Sequence, residues 1–222
     1  YDVSSLKSSV RHTYSEDNRD DKILPTNGYL VKSVFECAGL GVGPKFWREE
    51  LHAQAHLPMI WGSAISAFGS LGLLQALGDS KSLPNDRFYL GGPQSLKGFR
   101  TRGVGPRAEG AGPLAPAVGG DAMLLMGVSA SFPIPLPKAL SRLEGTRLQT
   151  FVNIGNNVGV KHGDSVLTKL PSVASGCRSA FGVGLVIPTP LGRLELNMSR
   201  PLAYNKLQGD RVARFQMGLG SD

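Results

Sequence analysis

Cysteine is scarce in this 222-residue chain: Cys37 and Cys177 lie far apart, with no Cys-x-x-Cys spacing. Neither a disulfide framework nor a zinc site is expected. Histidine is scarce too, and His12, His52, His56 and His162 form no His-Glu-x-x-His motif. His52 and His56 have a spacing that suits a metal on a helix, but their segment alternates as a strand does. They read as residues of one polar sheet face. No Ser-His-Asp set, metal cluster or telling pair of carboxylates is evident, so neither enzyme chemistry nor a cofactor is expected. No apolar run approaches 18 residues, which excludes a transmembrane helix. Tyr1 to Ser15 is polar and strand-like and does not read as a signal peptide; with no initiator methionine, the chain reads as starting inside something longer.

Charged residues make up only 18% of the chain, against roughly a quarter in typical domains. The net charge of +7 is spread over strands and loops rather than gathered in one run, so no nucleic-acid partner is expected. Turn residues, by contrast, are plentiful, with 29 glycines and 15 prolines. Many turns and few long helices fit that composition.

The dominant periodicity is two. In LQTFVNIG (148–155), Leu148, Thr150, Val152 and Ile154 share one face, and Gln149, Phe151, Asn153 and Gly155 the other. In GRLELNMS (192–199), Leu194, Leu196 and Met198 oppose Arg193, Glu195, Asn197 and Ser199. FGVGLVI (181–187) and ARFQMGLG (213–220) alternate in the same way. Such alternation marks half-buried strands. It predicts strands at 4–14, 28–40, 47–59, 62–76, 119–133, 147–156, 178–188, 191–201 and 211–220. The stretch 62–76 has some helical character, but its glycines and serines favour a strand. Most of these strands are longer than the five or six residues usual in globular sheets, and about the length that crosses a bilayer when tilted. A soluble sandwich and a membrane barrel share this pattern; strand length and the lack of helices favour the barrel. An odd number of antiparallel strands cannot close by itself, which points to part of a larger barrel.

One connection is long, from about Leu77 to Val118, and contains FYLGGPQSLKGFR (88–100). A loop of that length calls for a function. It is not a phosphate-binding loop: Gly92 is followed by Lys97, Gly98 and Phe99 in the wrong order, and no amphipathic helix comes next. A plain turn explains the glycines and the proline but not a cation and an aromatic at the centre of a long loop.

The stretch FYLGGPQSLKGFR, with RGVGP (102–106), resembles the long loop of the outer-membrane-protein assembly superfamily, the BamA-like proteins. In that family the loop folds back into the barrel and its tip carries an Arg-Gly-aromatic motif. The matching tip here is Lys97-Gly98-Phe99, where lysine keeps the charge and loses the bidentate fork. ILPTNGYLVK (23–32), FVNIGN (151–156), TPLGRLELNMSRPL (189–202) and QGDRVARFQMGLG (208–220) extend the resemblance over nearly the whole chain. FYLGGPxSLxGF, FxNxGN and GRLELN together are similar to the mitochondrial branch, the central barrel of the sorting and assembly machinery.

The resemblance implies an all-β transmembrane antiparallel barrel of sixteen strands, of which residues 1–222 supply about the last nine, with the lumen loop at about 77–118. The POTRA domain and first strands are expected to be absent. The function implied is insertion of β-barrel precursors into the mitochondrial outer membrane through a lateral gate, by strand addition at the barrel seam. Membrane lipid, precursor proteins and accessory subunits are the implied partners. A plastid or bacterial relative, a passive porin and a soluble β-sandwich are the alternatives. Within the loop, Lys97, Gly98 and Phe99 are expected to pin the tip. Asn153, Glu195 and, less strongly, Asp121 are expected to lock it, since a buried lysine needs a partner. The gate strand would contain Phe215, Met217, Gly218, Leu219 and Gly220, its glycines weakening it. Ser221 and Asp222 stand where the family usually has apolar or aromatic closing residues, which leaves open whether this terminus is the natural one.

Overall fold

The computed structural model describes residues 6–108, 115–135, 145–161 and 163–220. Ser4, Ser5, His162, Ser221 and Asp222 lie outside them, as does part of the long loop. Nine strands follow in order: β1 (Ser9–Asp17), β2 (Gly28–Ala38), β3 (Phe46–Pro58), β4 (Ala64–Ala76), β5 (Ala122–Pro133), β6 (Arg147–Val158), β7 (Arg178–Thr189), β8 (Gly192–Ala203) and β9 (Phe215–Gly220). Each pairs antiparallel with its sequence neighbour in one sheet of order β1 to β9, so β1 and β9 are the two edges. Among the described residues no helix is long and apolar enough to cross a membrane, which says nothing about crossing by strands.

The expected strands are all present, with three differences. The first lies further along than 4–14, at Ser9–Asp17. The last begins at Phe215 rather than at 211, because the residues before it pair elsewhere. A helix, α1 (Leu170–Ser175), follows a 3-10 turn in the β6–β7 connection, where no helix was expected. It is one and a half turns long, with Pro171 in its first turn, and too short to show a periodicity.

The two faces of the sheet differ as the alternation requires. Leu148, Val152, Phe181, Val183 and Leu185 point outward and are exposed; Met198, Phe215 and Met217 are each about two-thirds exposed. Apolar surface this continuous is rare on a soluble monomer and is the lipid face of a barrel. The inner face carries Glu36, His56, Ser129, Asn153, Glu195, Asn197 and Ser199, all buried. His52 and His56 both stand there, bonded to Ser70 and Ser66 at 2.8 and 2.7 Å.

The apolar core belongs to the β4–β5 loop. Phe88, Leu90, Leu96, Phe99 and Val104 pack in one cluster with Phe46 of β3, Leu74 of β4, Leu125 of β5 and Ala180 of β7. A flat sheet could not gather residues of strands so far apart around one loop, so the sheet curls about it, following the strand twist.

Close approach on the inner face requires small residues. A β-carbon on Gly182 would stand 2.3 Å from the Met198 carbonyl oxygen and 2.7 Å from the Phe151 ring. Gly182→Ala is expected to cost about 1–3 kcal/mol of barrel stability. Loss of the folded band on heating in detergent checks this; an unchanged midpoint would show that the ring has room to move.

Candidate functional site

The loop tip lies on the inner face against β6, β7, β8 and β9. Lys97 is 9% exposed and Glu195 3%, and their Nζ and Oε2 atoms are 2.8 Å apart. The phase of β8 places Glu195: Leu194 and Leu196 face outward, so the residue between them faces in. Asn197 Nδ2 donates to the same Oε2 at 3.1 Å, and Arg193 Nε stands 2.9 Å from the other oxygen, Oε1. Lysine offers a single point contact where arginine would fork, and Arg193 supplies the second cation. The Lys97 ammonium also stands 4.8 Å from the centre of the inward Phe151 ring, within cation–π reach.

Asn153 fixes the backbone of the tip. With its amide oriented to suit its neighbours, it accepts the Lys97 N–H at 3.0 Å and donates to the Ala180 carbonyl at 3.3 Å. Gly98 has φ of +92°, and a β-carbon there would stand 2.7 Å from that of Ala180. Glycine meets both demands. Register slips at Ser179 and Ala180, a bulge directly beneath the tip. Phe99 is fully buried in the apolar cluster.

Three of the expected residues thus meet at one point, Lys97 with Asn153 and Glu195. Asp121 does not join them. It lies at the far end of the loop, 3.5 Å from Arg87 Nε, and its Oδ2 accepts the Val160 N–H at 2.8 Å. It anchors the loop's own base.

Several arrangements escape the sequence reading. Gln216 of β9 turns inward and grips the tip twice: Oε1 accepts the Gly98 N–H at 2.8 Å, and Nε2 donates to the Phe99 carbonyl at 2.7 Å. Its inward phase between Phe215 and Met217 is a legible signal, but its partner is not. Arg178, at the start of β7, holds Asp210 at 2.8 Å and also bonds Gln208, Asn156 and the Gly176 carbonyl. That network pins the β8–β9 connection beside α1. Asn157 of β6 does similar work at the loop's entry, donating to the Phe88 carbonyl at 2.8 Å.

Ahead of β1, the Lys7 ammonium bridges Glu36 of β2 at 2.9 Å and Asp86 of the loop at 2.8 Å. Partial burial pulls its pKa down, but the hydrogen-bonded carboxylates of Asp86 and Glu36 outweigh that and hold it above the ordinary lysine value. An open cavity of about 340 Å³ lies on the inner face beside the tip, bounded by Lys97, Glu195, His52, His56, Gln149 and Arg147. The Ser70–His52 and Ser66–His56 contacts stand on its wall. What the tip itself does is hold the loop against four strands.

Known proteins bear on this geometry. A family model described as the Omp85 superfamily domain matches residues 1–222. The sorting and assembly machinery component 50 homolog B of Xenopus laevis is 34% identical over 220 residues, covering 97% of this chain and 46% of the relative. The homolog of Homo sapiens is 34% identical over 220 residues, with 97% and 45% covered. A SAM50-like protein of Schizosaccharomyces pombe is 33% identical over 223 residues, with 98% and 45% covered. The chain therefore spans about half the length of the curated relatives it matches. The crystal structure of BamA from Haemophilus ducreyi lacking POTRA domains 1–3 superposes with a TM-score of 0.77 at 21% identity, covering 94% of this chain and 41% of that one. At that identity the likeness speaks for the fold.

The ion pair is asymmetric. After Lys97→Ala, Glu195 keeps Arg193 and Asn197; after Glu195→Ala, Lys97 is buried with no carboxylate. Glu195→Ala should therefore cost about 1–2 kcal/mol more than Lys97→Ala. Protease accessibility of the loop reads the difference, and equal losses would mean that the two charges depend on each other alone.

Proposed function

This chain belongs to the Omp85 superfamily, and on that premise we propose that it forms the C-terminal strands of a mitochondrial outer-membrane insertase barrel, which folds β-barrel precursors at a lateral gate. The supporting observation is the tip of the loop, held on the inner face by Lys97 on Glu195 and by Gln216 of the last strand. Two edge strands in one sheet support the view that further strands complete the barrel, since bare strand edges in lipid leave backbone groups unpaired. Relatives that continue well beyond the matched region, named as components of sorting and assembly machinery, support the same view.

The mechanism breaks no covalent bond. The precursor's strand pairs with a freed edge of the barrel, and main-chain hydrogen bonds supply the affinity. β9 suits that role. Among the described residues it pairs with β8 over Phe215–Gly220, six residues against the twelve of β8. Gly218 and Gly220 bring no side chains to pack. The loop tip stands behind this strand and supports its inner face while the seam is closed. A passive porin has no use for a tip buried in an apolar cluster. The partners are membrane lipid along the outward face, precursor proteins at the seam and accessory subunits of the complex.

Lys97→Ala in the full-length protein should slow precursor assembly about tenfold or more, the equivalent of roughly 1.4 kcal/mol at the gate. Import of a radiolabelled β-barrel precursor into isolated mitochondria measures it. Assembly at the wild-type rate, with the variant present at normal abundance, would remove the loop lock from the mechanism.

A further inference from the structure

We propose that the position of the last strand is set by the loop tip, through Gln216 and a short ladder ahead of β9, and not by β8 alone. This rests on the insertase reading and adds to it a physical link between loop and gate.

Pairing around β9 is divided. Phe215–Gly220 pairs with β8 from Met198 back to Arg193. The residues just before it turn to the loop instead. Phe99 and Val212 face each other in an antiparallel bridge. The Arg100 N–H donates to the Arg211 carbonyl at 2.9 Å, the Ala213 N–H to the Gly98 carbonyl at 2.9 Å, and the Arg211 N–H to the Gly103 carbonyl at 2.9 Å. β8 retains two bonds at the junction, both from Ser199: its N–H to the Arg214 carbonyl at 2.7 Å and its hydroxyl to the Ala213 carbonyl at 3.3 Å. The loop thus replaces β8 as the partner of the strand's entry.

Gln216 continues the contact into the strand. The residue is 8% exposed, and its amide bonds consecutive backbone groups of the tip, Gly98 N–H and Phe99 C=O. This pairing copies the donor-and-acceptor pattern of a neighbouring strand, so the side chain holds the tip as an extra rung. Further along, Pro93 fills the space beside Gly218, and Gln94 Nε2 donates to the Leu219 carbonyl. The tip therefore touches β9 along its whole length. A shift of the tip must either carry β9 with it or break these bonds. Gln216 is a positioning residue in this scheme and touches no precursor.

The test uses the full-length protein in nanodiscs and reads amide hydrogen exchange. Gln216→Leu keeps the shape and removes both bonds. Gln149→Leu, an inward glutamine of β6, serves as the control. Gln216→Leu should speed exchange about tenfold at Gly98 and, together with it, across 211–219, with β5 and β6 unchanged. Gln149→Leu should leave both segments alone. Faster exchange in the loop, with 211–219 protected as before, would overturn the link. A second measurement covers a variant that fails to fold. Phe99→Cys with Val212→Cys, in a background with Cys37 and Cys177 replaced by serine, places two thiols at a non-hydrogen-bonded pair about 4.5 Å apart at Cα, within disulfide range. Oxidation should join them, and the joined form should exchange about tenfold more slowly across 211–219 than the same variant reduced. Equal exchange in the two forms would contradict the link. Coupled exchange together with wild-type assembly in Gln216→Leu would uphold the link and place the fault in the insertase reading.

Discussion

A lysine ammonium this deeply buried needs a carboxylate, and the loop fold of this barrel depends on how that need is met. Glu195 meets Lys97 because β8 alternates, because Arg193 and Asn197 keep its charge in place, and because Gly98 lets the backbone turn where no side chain fits. Without the pair, the tip would leave a charge on an inner face that has no other carboxylate bonded to it among the described residues. With it, Phe99 and Leu96 are drawn into the apolar cluster and the loop becomes the centre of the fold.

The usual arrangement of a globular sheet is thereby reversed. Apolar side chains of the strands face lipid, and the polar side chains turn inward. A protein interior still has to be filled at high density. Here the filling comes from a connection, not from the strands. The inner glycines make room for it, and Asn153, Asn157 and Gln216 satisfy its backbone. A loop built this way is packed like a core and bonded to most of the strands around it.

Much of this was legible in the sequence. The alternation around Asn153 and Glu195 gave their inward direction, and a buried cation in the loop called for an acid. Nine strands followed from nine alternating stretches. What stayed hidden depends on long-range pairing. Asp121, the weaker candidate partner for Lys97, is carried by the chain's path to Arg87 instead. Residues 211–213 alternate like the strand they precede, and no local signal reveals that they pair with the loop. Gln216 has an inward phase that any reader could assign, but its two bonds depend on where the tip ends. Arg178 and Asp210 meet across a connection whose course is not set by periodicity. The short α1 offers too few residues to show its period.

The account is tested most directly by a cryo-EM structure of the full-length protein in its native assembly. The account predicts that β1 is paired to a preceding strand, that the barrel encloses the loop, and that Lys97 Nζ lies about 3 Å from Glu195, as a charge-assisted bond requires. A bare β1 edge, or a loop lying outside the barrel with Lys97 in solvent, would contradict it.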